Sequence, residues 1–392
     1  MSFKFVKGRS YLLLFISFIF LVSFRNNSHD GDLHGGSDQY QSNGSGITSN
    51  RDKVALLVHT GTYKSLKQEF IQYRKDVESA FPVDLNIICG TWEKPDEVRT
   101  AIKHLSNTMD LSGVILAGAI PMHRFHMHDF DNPDPLFYED FDLRFIDSDG
   151  NGVPESYSGE PQLKIWVANM RAAEKDGDEA IETLRSFLKK THEYYSGKIM
   201  IESRALAVTG NDWPDGADHF VKDVASVLYG PDNVDSIRAK SVSRTSLLGK
   251  FRDHSYSVFY IQVHSNERRQ DLQGDSLPSL EIEKMKTGAL FTINHGCSTG
   301  NWMKAAAKNN RNTAMSWVFG DGVGEAVVAN VRTGMVYGHD SIYAHILKRE
   351  YLGKAYFAGK KAAEAEMHHY YPSGDIVSGV TFIGNPFIYI SK

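Results

Sequence analysis

Two cysteines, Cys89 and Cys297, are all that the 392 residues contain. No disulfide framework can hold such a chain together, and one bridge is the upper limit. An excess of charge is also missing: 43 Lys and Arg face 48 Asp and Glu, a net charge of -5. That balance excludes the broad basic footprint of a nucleic-acid binder, and no nucleic-acid partner is expected. Long apolar runs are missing too. The longest stretch near the start, Tyr11 to Phe24, is short of the about 20 residues that a membrane-spanning helix needs. No internal repeat is visible.

What the chain does have is core-forming material, 41% hydrophobic and 11% aromatic residues, enough for one large domain or two ordinary ones. Lys4, Lys7 and Arg9 precede the apolar run, which is the layout of an export signal. Residues 1–25 therefore read as a signal peptide or, since no small-x-small site precedes Arg25, a retained anchor. The expected destination is secreted, cell-surface or periplasmic, with membrane contact only if the anchor stays. Residues 26–52 are mostly Gly, Ser, Asn and Asp; they cannot bury enough apolar surface to fold and read as a disordered linker.

From residue 53 onward, short apolar runs alternate with stretches of helical period, the pattern of parallel strands covered by helices. Strands are expected at Val54–Val58, Val83–Ile88, Gly113–Leu116, Lys164–Met170, Ala205–Val208, Tyr256–Val263, Ala289–Ile293 and Ala314–Val318. Helices are expected at Tyr63–Ala80, Asp96–Thr108, Asp178–Tyr195, Gly216–Leu228, Gly300–Lys308 and Ile342–His368, and a closing hairpin at Val380–Ile390. The segment Tyr194–Lys198 divides an N-terminal α/β subdomain (53–198) from a C-terminal one (199–392).

In open α/β sheets, reactive groups collect where strands end at their carboxyl side. His264 directly follows the strand ending in Val263, and Cys297 follows the strand ending in Asn294. If those strands are neighbours, the imidazole reaches the sulfur without sequence adjacency. Cys89 ends an apolar run and reads as an inert thiol. Cys297 sits among His295, Gly296, Ser298, Thr299 and Gly300, a polar, glycine-rich setting that asks for a chemical role. A thiol needs an imidazole or a helix N-terminus beside it to raise its thiolate fraction. The pair therefore reads as nucleophile (Cys297) and general base and acid (His264), with the backbone N–H groups of Ser265 and Cys297 as oxyanion donors. No cofactor is needed for that chemistry. His295 and Gly296 line the site in this reading, as do Trp213 and Trp317 in loops beyond neighbouring strands. Asp212, Asp215, Asp218, Asp321 and Glu325 are acids in the same loops, one of which could pair with a basic group; helix capping by Asp212 or Asp215 is the alternative.

The segments Val263-His264-Ser265 and Asn294-His295-Gly296-Cys297-Ser298-Thr299-Gly300 resemble the His and Cys motifs of the gingipain family of cysteine peptidases, relatives of caspases and legumains. Ile165–Arg171 ahead of the Asp178 helix, the acidic loop Asp147–Glu155, and Gly384-Asn385-Pro386 are similar to further elements of that family. The resemblance spans about residues 54 to 390. It implies a caspase-like three-layer α/β sandwich, mostly parallel sheets flanked by helices in two subdomains, with catalysis in the second. It also implies cleavage of a protein or peptide substrate through a thioester. Ser265 departs from the family, which usually places glycine after the histidine; the backbone N–H is kept, glycine's conformational freedom is not. A catalytically silent binding or surface protein, and a Cys-dependent hydrolase or acyltransferase of small amides or esters, are the competing functions.

Asp147, Asp149, Asn151 and Glu155 carry side-chain oxygens at a spacing seen in calcium loops, and the family's calcium dependence favours a structural calcium ion; an Asx-rich turn without an ion fits the same residues. His123, His126 and His128 with Asp129 could offer zinc ligands, but a solvated acidic lobe with Asp131, Asp134, Glu139, Asp140 and Asp142 explains them better.

Overall fold

The computed structural model describes residues 51–127, 130–173, 177–306, 311–334, 339–367 and 379–390. The expected export signal and nearly all of the expected linker lie outside them, as do His128, Asp129 and the ends of two expected helices, Lys308 and His368. Arg51 and Asp52, assigned to the linker, belong to the folded body: Asp52 opens the first strand, and the Arg51 guanidinium donates to Asp84 Oδ1 at 2.6 Å.

Ten strands build the main sheet: β1 (Asp52–His59), β2 (Val83–Gly90), β3 (Leu111–Ala117), β4 (Trp166–Met170), β5 (Ala205–Thr209), β6 (Val234–Arg238), β7 (Tyr256–Gln262), β8 (Ala289–Asn294), β9 (Ala326–Asn330) and β10 (Val380–Gly384). Their spatial order is β6-β5-β7-β8-β9-β10-β4-β3-β1-β2. The sheet is mostly parallel and flanked by helices, the α/β sandwich that the alternation predicts and one compatible with a caspase-like arrangement. Val54 to Val58, all of β7 and all of β8 are buried, as strands covered on both faces must be.

Helices follow from apolar spacing and caps. In α1 (Thr60–Ala80), Leu66, Phe70, Tyr73 and Val77 form one buried stripe. In α2 (Pro95–Met109), Pro95 occupies the first turn, where its missing N–H costs nothing, and the Glu97 carboxylate accepts from the Lys94 backbone. In α3 (Asp178–Tyr195), Leu184, Phe187, Leu188 and Thr191 face inward, and α4 (Arg244–Asp253) buries Leu247 and Phe251.

Each half of the sheet repeats one topology. From β1 the chain crosses to β2 on one side, then to β3 on the other, then to β4; from β5 it crosses to β6, then β7, β8 and β9. Both halves present their strand carboxyl ends at the same edge. Beyond β3, Asn132 Oδ1 accepts from Asn301 Nδ2 at 2.9 Å, and beyond β4 the Arg171 guanidinium lies 5.3 Å over Trp302. Asn301 and Trp302 follow β8. At the opposite edge Trp166, which opens β4, packs on Phe387 beyond the end of β10.

Four expectations change. Ala314–Val318 is not a strand but part of helix α5 (Thr313–Phe319): Asn312 Oδ1 caps it by accepting from Met315 N at 2.6 Å, and every residue is buried, so no period distinguishes it from a core strand. Val380–Ile390 is not a hairpin. β10 pairs antiparallel with β9 and ends at Gly384, whose φ of 104° turns the chain away; Phe387 and Ile388 then pack as buried irregular chain. The helix from Ile342 breaks into α6 (His339–Leu347) and α7 (Leu352–Met367) at Arg349, which is left-handed at φ 59°. The helix after Cys297 begins only at Trp302 and is described to Ala306.

Candidate active site

β7 and β8 are neighbours and parallel, with Ile261 opposite Asn294. The two motif segments therefore leave the sheet side by side, and His295 N donates to Ile261 O at 2.9 Å. A Cβ on Gly296 would lie 1.7 Å from Ser265 Oγ. The residue after His264 thus packs directly on the residue before Cys297, and only glycine fits there.

His264 is presented to solvent. Its Nε2 lies 2.8 Å from Asp212 Oδ2, with side-chain exposures of 62% and 59%. Asp212 stands in the loop after β5, the other neighbour of β7. That loop is held tightly: Gly210 N donates to Gln262 O, Trp213 N to Gly210 O, Gly216 N to Trp213 O, and Thr209 Oγ1 to Pro214 O. The Trp213 ring rests 4.7 Å from the imidazole.

Cys297 is half-buried on a tight turn. Gly296 N donates to Asn294 Oδ1 at 3.0 Å, Ser298 N to Arg332 O at 2.7 Å, and Gly300 N to Asn330 O at 2.8 Å. Ser298 takes a left-handed φ of 56°. The loop after β9 closes over the sulfur, where Gly334 N donates to Cys297 Sγ at 3.3 Å. The helix expected to aim its dipole at the thiol begins five residues after it, at Trp302, and among the described residues the group that polarises the sulfur by direct contact is this N–H.

Other candidates are placed elsewhere. His295 does not line the cleft. It is buried between Tyr260 and His339, at 4.7 and 4.3 Å ring to ring. Burial, with His339 beside it, pushes its pKa well below that of an ordinary imidazole. Trp317 lies on α5 in an apolar cluster with Phe251 and Phe259. Asp218 and Asp215 face Arg238, Asp321 pairs with Lys286, and Glu325 is fully buried beside Thr191. Of the five acids only Asp212 meets the site.

The acidic loop brings together three of its four expected ligands: Asp147, Asp149 and Glu155 place oxygens within 4.8 Å of one another. The Gly152 N–H, with those of Gly150 and Asn151, holds the Asp147 carboxyl below its ordinary range. Asn151 instead spends its side chain inside the turn, on Asp149 and Val153 N. The solvated acidic lobe is corrected. Asp134, Glu139 and Asp140 are buried, because each has partners: His123 and Leu136 N for Asp134, Lys360 for Glu139, and three backbone N–H groups for Asp140. His126 meets Asp131 at 2.9 Å.

No family model matches the chain, and no curated protein matches it. Among solved structures, one described as a protease superposes with a TM-score of 0.60 at 11% identity, over 86% of this chain and 78% of that one. At that identity the likeness concerns the fold alone. A solute-binding protein of an ABC transporter from Burkholderia multivorans (12% identity, 85% of this chain, 99% of that chain) reaches a TM-score of 0.18. A glucose-galactose binding protein from Geobacillus stearothermophilus (12% identity, 85% of this chain, 98% of that chain) reaches 0.17. Neither carries an argument.

Proposed function

We propose that the chain is a gingipain-like cysteine peptidase in which Cys297 attacks the peptide carbonyl and His264 moves the proton. The observation that carries this reading is the side-by-side exit of His264-Ser265 and Gly296-Cys297 from neighbouring strands, with Asp212 on one imidazole nitrogen. With Nε2 paired to Asp212, Nδ1 is the nitrogen left for proton transfer. The Cys297 sulfur forms a bond to the carbonyl carbon and its proton passes to His264. His264 then protonates the leaving amine as the C–N bond breaks. Water, deprotonated by His264, hydrolyses the thioester and frees the thiol. Gly334 N–H favours the thiolate, and backbone N–H groups of Ser265 and Cys297 would receive the oxyanion.

A calcium ion on Asp147, Asp149 and Glu155 would have a structural role in this reading, and the basic and apolar start of the chain supports action after export. The test is Cys297→Ala, assayed on a panel of peptide amides and small esters, with labelling by thiol-directed peptidyl inhibitors. Turnover and labelling should both vanish. Undiminished turnover overturns the assignment, and activity confined to small esters moves it to a hydrolase of another class.

A further inference from the structure

The repeated topology gives this sheet two switch points, places where successive strands are laid down on opposite sides of a starting strand. Crevices at the carboxyl ends of strands around such points are where open α/β sheets bind ligands. One lies between β5 and β7 and holds Asp212 and His264. The other lies between β1 and β3, and there the structure has a cavity of ≈ 1170 Å³ to which nothing above gives a role.

We propose that this cavity is a second binding site, for a carboxylate-bearing ligand, and that its principal occupant is an acidic segment of the polypeptide substrate. The proposal rests on the peptidase reading for the identity of that occupant. Its floor is the end of β1 (His59) and the turn after β3 (Ile120), and its far wall reaches Met303, six residues beyond Cys297. The guanidinium of Arg99 stacks 4.4 Å over Phe137 and donates to Asp140 O and Leu143 O, while its buried Nε has no hydrogen-bond partner. Arg144 also lines the cavity; its side chain is exposed and has no hydrogen-bond or ion-pair partner among the described residues.

Acids line it as well, but two are already engaged. Asp142 contacts Lys103 at 3.1 Å and Lys164 at 3.9 Å, and Asp147 accepts backbone N–H groups of its own loop. Glu93 and Asp96 are exposed, where water screens them. Arg99, partly desolvated, and Arg144, without a partner among the described residues, line the same cavity and favour carboxylate over amine, and guanidinium forks bind carboxylates with two parallel hydrogen bonds. The volume exceeds the range of about 300–1,000 Å³ usual for small-ligand pockets, which suits a peptide segment. Four strand spacings separate β8 from β3, about 19 Å at ~4.8 Å each. An extended peptide covers that in about six residues, so one substrate could occupy both crevices.

The test uses full-length Cys297→Ala protein, so that binding is read without turnover. Two fluorescent peptides of about 14 residues carry Glu or Gln at positions six to nine residues from a central bond, and anisotropy measures both. The Glu peptide should bind at least about fivefold tighter. Arg144→Glu, added to Cys297→Ala, should remove that preference through a roughly tenfold loss for the Glu peptide alone, with an unchanged thermal midpoint. Displacement by free citrate assigns recognition to the carboxylate itself; displacement by acidic peptide but not by citrate assigns it to the polypeptide. Equal binding of the two peptides, or a Glu preference that survives Arg144→Glu, overturns the proposal. Failure of peptide cleavage by the unmodified enzyme would count against the peptidase reading and leave this measurement standing.

Discussion

The Asp212–His264 pair is exposed on both sides, which bounds what it can contribute. Exposed ion pairs are worth about 0.2–1 kcal/mol, so Asp212→Ala should lower kcat/KM on a peptide amide by no more than about fivefold, through lost orientation of the ring. His264→Ala removes the proton carrier itself and should cost about 10²–10⁴-fold. Equal losses for the two variants would mean that the carboxylate acts chemically. A second test concerns Gly296, where a methyl group would meet Ser265 Oγ at 1.7 Å. Gly296→Ala should therefore displace the Cys297 turn and reduce kcat by at least about tenfold, and Ser265→Gly in the same chain should restore most of it. No recovery in the double variant would place the clash elsewhere. The sequence isolates Cys297 and His264 because a free thiol and a histidine each follow an apolar strand. It cannot choose Asp212 over Asp215 or Asp218, since that choice depends on the turn at Gly210–Gly216 and on β5 lying beside β7.

Elements were legible where burial leaves a one-dimensional trace. The run Val54–Val58 and the spacing of Leu184, Phe187, Leu188 and Thr191 announce β1 and α3 directly. Where burial is complete on every side, as in α5, an apolar run has no period to read. The stop at Gly384 and the break at Arg349 are likewise backbone events with no pattern of their own. His295 misleads for a related reason: it follows a strand end, but its ring turns inward against Tyr260. The loop from Asp147 to Glu155 lies between these cases, since its acids are visible and their convergence is not. Bound calcium would stabilise the loop by mass action, by about 2.7 kcal/mol at a hundred times its dissociation constant. Addition of millimolar calcium should accordingly slow proteolytic nicking between residues 147 and 155, and Asp147→Asn should abolish the protection. Identical nicking rates with calcium and with chelator would leave the loop an ion-free turn.

At the scale of the whole molecule, the two half-sheets meet at β9 and β10, and Glu325 sits at the foot of that junction. Its carbonyl accepts from Asn385 N at 2.8 Å, and its buried Oε2 lies 2.7 Å from Thr191 Oγ1 on α3. The Thr191 hydroxyl donates to that oxygen, with Phe187 O at 3.0 Å as its alternative acceptor. Burial favours the neutral acid, pushing Glu325 up to about 7 against the opposition of Lys190 and of the Thr191 and Asn385 hydrogen bonds. An acid whose folded pKa is raised holds its proton in the native state after the unfolded chain has released it. Stability therefore falls as pH rises from about 4.5 to about 7 and is level above that. A tenfold change in proton affinity corresponds to about 1.4 kcal/mol, so the loss across the window is at most about 3.5 kcal/mol. Glu325→Gln keeps a neutral group there and should lack this component. Urea unfolding of both proteins between pH 4.5 and 6.5 reads it as a difference; higher pH enters the range in which Lys190, pushed down to about 8 by burial, loses its own proton. A difference that narrows in favour of Glu325→Gln as pH rises supports a neutral carboxyl joining the halves. A constant difference would mean that Glu325 is ionised throughout and that the Thr191 contact is made by a carboxylate.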